Sequence, residues 1–133
     1  DYGYLIGGYN AVKMYKEILK LFKNKEILKN KDFNLLREQV NAAEKNRALG
    51  GIDLVDLNQQ LINIIKRKKL LSDTEEQLIL ENSKYSGGIL IQGYNIIVLQ
   101  ASILETFIKK EMITLEEGQK VVDSASHNVN TNK

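Results

Sequence analysis

The sequence predicts an all-α domain, a compact array or bundle of about six helices formed by three repeated helical hairpins of about 43 residues. Three observations predict it. The 133 residues include no proline, and the 43% that are hydrophobic are set among lysine, glutamate and glutamine, a mixture that helix interiors accept. Apolar residues recur at helical spacing. The chain also resembles itself.

The resemblance is clearest between its ends. Gly3-Tyr4-Leu5-Ile6-Gly7-Gly8-Tyr9-Asn10 returns as Gly88-Ile89-Leu90-Ile91-Gln92-Gly93-Tyr94-Asn95, at an offset of 85 (88 − 3). Ile18-Leu19, Phe22 and Lys25-Glu26 then match Ile103-Leu104, Phe107 and Lys110-Glu111. Identities fall at 11 of the 26 positions from 3 to 28, where an arbitrary pairing gives roughly two. A more diverged copy lies halfway, with Ile64-Ile65-Lys66-Arg67-Lys68-Lys69-Leu70-Leu71 in the place of Leu21 to Leu28, an offset of 43 (65 − 22). Units of this length fall in the size range of two-helix repeats, and three is about the fewest that bury a continuous core.

One domain over 1–126 follows, with units at about 3–48, 51–86 and 88–126 and a polar C-terminal tail, 127–133, that carries no apolar period and is expected to be disordered. In the first unit Leu5, Tyr9, Val12, Leu19 and Phe22 are the expected helix seam, and in the second Leu54, Leu57, Leu61 and Ile64. In the third, Leu90, Tyr94, Ile97, Ala101, Leu104 and Ile108 follow a 4-3-4-3-4 spacing. A second stripe of Ile89, Ile96, Leu99, Ile103 and Phe107 predicts a helix surrounded by its neighbours. Ser72-Asp73-Thr74-Glu75 and Thr114-Leu115-Glu116-Glu117 read as capping boxes opening second helices, a part that only Asn30 or Asp32 can take in the first unit. Gly50-Gly51 and Gly87-Gly88 are the expected left-handed unit boundaries.

Several function classes find no support. Nineteen basic residues against seventeen acidic ones leave a net charge of +2, too little for the one-sided field of a nucleic-acid binder. Without cysteine there is neither a disulfide framework nor a thiolate site. His127, the one histidine, sits in the polar tail, and the acid pairs Asp53/Asp56 and Glu75/Glu76 stand at helix starts, where the helix dipole accounts for them. Gly3 to Gly8 lacks the Gly-Lys-Ser/Thr ending of a phosphate loop. The expectation is therefore no enzyme, no metal and no cofactor. Tyr85 to Leu104 is uncharged and long enough to span a bilayer, but Gln92, Asn95, Gln100 and three glycines interrupt it, and a buried central helix is the favoured reading. The first residue is Asp1 rather than methionine, which admits a removed signal peptide and an extracytoplasmic location.

Two groups of residues are candidate sites. Tyr9, Asn10, Gln92, Tyr94 and Asn95, from the repeated Gly-Tyr-Asn element, either fill equivalent core positions or line a two-sided pocket. Lys25, Lys66, Arg67, Lys68, Lys69, Lys109 and Lys110 fall at one end of the repeating helices. There they form either an edge neutralised by neighbouring acids or a patch for an acidic partner. The function expected is a non-enzymatic protein-protein interaction module that binds another protein or itself. The alternatives are a small-ligand or lipid carrier with an inter-helix pocket, and a membrane-associated component.

Overall fold

The computed structural model describes residues 5–6, 9–45, 51–84 and 95–126. These form six helices: α1 (Ala11–Asn24), α2 (Asn30–Lys45), α3 (Gly51–Arg67), α4 (Asp73–Ser83), α5 (Ile96–Lys109) and α6 (Leu115–Ala125). The helix expected from Leu5 starts only at Ala11. Before it, β1 (Leu5–Ile6) and β2 (Tyr9–Asn10) pair antiparallel with Ile6 opposite Tyr9, which leaves two glycines between them, the composition a tight hairpin connection favours. Gln92 and Tyr94, the glycine pair 87–88, Gly50, Leu90 and the tail with His127 lie outside the described residues.

α1, α3 and α5 pack against one another, and the even-numbered helices lie outside them. The three inner helices bury one side chain each in successive layers. Ala11, Leu54 and Ile96 make the first, Ile18, Leu61 and Ile103 the third, and Phe22, Ile65 and Phe107 the fourth. Within each helix the layers follow a 4-3-4 spacing, the seam of a helical bundle. Phe22 and Phe107 meet edge to face with ring centroids 5.0 Å apart.

The second layer is polar. Tyr15, Asn58 and Gln100 stand at the same 43- and 42-residue spacing (58 − 15, 100 − 58) and are fully buried. Each donates to the next inner helix: Tyr15 Oη to the Leu57 carbonyl at 3.1 Å, Asn58 Nδ2 to Gln100 Oε1 at 2.9 Å, and Gln100 Nε2 to the Ala11 carbonyl at 3.2 Å. The bonds run in a circle. Because the polar layer and the phenylalanine layer both meet in register, α1, α3 and α5 run in the same direction. Burial pushes the Tyr15 hydroxyl well above its usual pKa, so it stays a neutral donor.

Each inner helix ends in one backbone motif. The left-handed residue is Glu26 (φ 62°), Lys69 (φ 65°) or Glu111 (φ 61°), and the next N–H bonds back to Phe22, Ile65 or Phe107. These are Schellman ends, placed where the sequence offers no glycine. A left-handed non-glycine residue costs about 1–2 kcal/mol. The motif is held by its paired hydrogen bonds and by the apolar residue beyond it, Leu28, Leu71 or Ile113, which is buried.

Ser72 and Thr114 then cap α4 and α6, and both capping boxes are complete. At the same spacing the first connection carries Lys29, and α2 begins at Asn30, so neither Asn30 nor Asp32 stands at the cap position. Lys29→Ser supplies the missing acceptor and is expected to stabilise the fold by about 1 kcal/mol. Thermal unfolding checks this, and an unchanged or lowered midpoint would refute it.

The outer helices close the assembly. α2 bridges α1 and α3, α4 lies chiefly on α5 rather than on α3, and α6 packs on both α5 and α1. Tyr9 and Ser126 form a backbone bridge that ties the two ends of the described chain. The domain is thus a closed bundle, not an open stack.

Candidate functional site

The sequence-predicted residues around Gly-Tyr-Asn are structural where they are described. Asn10 Oδ1 accepts from the Lys13 N–H at 3.0 Å and Asn95 Oδ1 from the Val98 N–H at 3.2 Å, so the two asparagines are the N-caps of α1 and α5. Tyr9 is half-buried against the core. Across the link between α4 and α5, the Asn95 N–H donates to the Ser83 carbonyl at 2.8 Å.

The predicted basic edge does gather at one end of the bundle, where much of it is spent on neighbouring helices. Lys25 reaches Glu117 on α6 at 2.9 Å, and Lys110 reaches Glu75 on α4 at 2.9 Å. Lys68, at the same spacing, donates to the Ile27 carbonyl. Lys25 thus ties the end of α1 to α6, Lys110 the end of α5 to α4, and Lys68 the end of α3 to the turn after α1. Lys66 binds Asp73 and Glu76, which raise its pKa. Arg67, Lys69 and Lys109 point to solvent without an ion pair among the described residues.

The carboxylates answer in kind. The Lys25 ammonium, then the Thr114 N–H, hold Glu117 below the usual range; the Ser72 N–H, then Lys110, do the same for Glu75. A folded pKa below the ordinary 4.5 means that this stability is complete above that value and is lost as pH falls through the lower folded values. The thermal midpoint is therefore expected to hold from pH 7 to about 5 and to fall below about 4.5. Glu117→Gln should show a shallower acid loss than the parent, and equal slopes would remove Lys25–Glu117 from the cause.

One further feature was legible only in part. α5 buries Ile96, Leu99, Ile103 and Phe107, and of its other apolar stripe Leu104 is buried while Ile97, Ala101 and Ile108 are half-buried. The outward face, Val98, Ala101, Glu105 and Ile108, borders an open groove of about 590 Å³ whose far wall is α6, with Leu115, Gly118 and Val122. Val98 is 37% exposed and Leu115 70%. Gly118 helps shape the floor, since a carbon added there would stand 2.8 Å from Ile108 Cδ1.

The other inner helices supply an internal control. At the positions of Val98, Ala101, Glu105 and Ile108, α1 has Lys13, Lys16, Lys20 and Lys23, and α3 has Asp56, Gln59, Asn63 and Lys66. The exposure pattern is nearly the same in all three, with the first and third positions exposed and the second half-buried. Two of the three faces are polar, so packing does not require an apolar residue there. Ala101 and Ile108 belong to one of the two stripes expected in the core, and Val98 and Glu105 to neither; setting the three helices side by side marks this face as different.

Among the described residues no group of histidine, cysteine or carboxylate side chains could hold a metal ion, and no helix is long and apolar enough to cross a membrane. No family model, curated protein or solved structure matches the chain.

Proposed function

We propose that this protein is a non-enzymatic interaction module, a threefold repetition of one helical hairpin closed into a ring, which binds another protein through the groove between α5 and α6. The repetition is supported by the common spacing of the buried polar layer, the left-handed turn residues and the turn lysines. The binding role rests on one observation. The outward face of α5 carries Val98, Ala101 and Ile108 where the corresponding faces of α1 and α3 are charged or polar throughout, and exposed apolar surface that the fold does not need is what an interface leaves behind. The turn-end ion pairs serve the fold in this reading, and Tyr9, Asn10 and Asn95 do the same.

Site-specific photo-crosslinking in the native source tests it, with the reactive side chain placed at Val98 or, as a control, at Asp56 on the corresponding face of α3. A discrete protein adduct from Val98 and none from Asp56 is expected. Matching adduct patterns, or native mass spectrometry that finds a small bound molecule displaced by Leu115→Glu, would overturn the protein-binding role. The latter outcome would favour the carrier reading, for which about 590 Å³ is an adequate volume.

A further inference from the structure

The groove has a shape and a charge of its own, and together they narrow what it can hold. Val98, Ala101, Glu105 and Ile108 follow a 3-4-3 spacing along α5. They span three helical turns, roughly 16 Å at 1.5 Å per residue. That is the length over which a partner helix places anchors at i, i+3 or i+4, and i+7. The flanking walls are themselves helices, and Gly118 lets α6 approach Ile108 of α5 closely at the floor of the groove.

Among the described residues Glu105 is the single charged one that lines this groove; the remaining polar lining is hydroxyl and amide. It is exposed and in no ion pair among the described residues. Its counterparts are Lys20 on α1 and Asn63 on α3, so nothing in the shared architecture calls for a carboxylate there.

Resting on the interaction reading above, we propose that the occupant is an amphipathic helix of a partner protein whose apolar face carries a basic residue opposite Glu105. A carboxylate at the centre of an apolar strip favours a cation there and penalises an anion, which gives the groove selectivity beyond its apolar contact. A second copy docking through its exposed Leu78, which lies between Asp73 and Glu81, would set carboxylates against Glu105.

The probes are two synthetic 14-residue helical peptides with the same leucine face, one with lysine and one with glutamate at its centre. Each is titrated into the isotopically labelled full-length chain and followed by amide NMR. The lysine peptide is expected to shift the amides of Val98, Ala101, Gly118 and Val122 and to bind at least about tenfold more tightly than the glutamate peptide. Glu105→Lys, an exposed substitution, should reverse that order. Equal binding of both peptides, unaltered by Glu105→Lys, would overturn the basic partner while leaving the groove as a helix site. If neither peptide shifts these amides, the helix site falls as well. Shifts that instead follow protein concentration, or neutral phosphatidylcholine vesicles, overturn it in favour of self-association or lipid.

Discussion

Phe107→Ala is expected to destabilise the protein by about 3–5 kcal/mol, the range for removing a fully buried aromatic side chain from a core that cannot close over the gap. Phe107 is completely buried and packs edge to face on Phe22, the residue that takes its place on α1. Its carbonyl also receives the Met112 and Ile113 N–H groups that close the turn into α6, so the ring and the turn share one residue. Against a domain stability of about 5–15 kcal/mol such a loss leaves little margin. Chemical denaturation measures it directly. A loss below about 1 kcal/mol would mean that the fourth layer is not packed as described.

Gln100→Glu is the second large effect, and it works through charge rather than volume. The Nε2 group that donates to the Ala11 carbonyl becomes an acceptor facing an acceptor, inside a layer with no access to water. Burial should raise the new carboxyl's folded pKa above its unfolded value, so the variant is expected to lose stability as pH rises through neutrality, by about 3 kcal/mol or more. Gln100→Leu is milder, about 1–3 kcal/mol, because it leaves Asn58 without its cross-helix acceptor. Adding Asn58→Leu should recover part of this, since Asn58 Oδ1 is already buried without a partner. Denaturation at pH 5 and pH 8 separates these outcomes. A Gln100→Glu variant equally stable at both would show that the layer is wet.

The polar layer also explains why three inner helices settle in one register. A seam of leucine, isoleucine and phenylalanine tolerates slippage by a turn, whereas a circle of directional bonds among Tyr15, Asn58 and Gln100 is satisfied in one alignment only. The lysines of the turns repeat this logic at the end of the bundle, each crossing to another helix or turn.

The sequence by itself determined the helical class, the six helices and two of the capping boxes, because these follow from local spacing and from hydroxyl and carboxylate groups three residues apart. Local chemistry misled at Leu5, where β1 and β2 pair antiparallel before α1, and at the helix ends. There buried apolar residues hold Glu26, Lys69 and Glu111 in a conformation usually left to glycine. Tertiary structure alone decided that the six helices close into a bundle, that α4 leans on α5, and that Val98, Ala101 and Ile108 of α5 border an open groove. Periodicity reports which residues are apolar. Which apolar face is covered depends on where the outer helices come to rest, and that is set by long-range contacts between residues far apart in the chain.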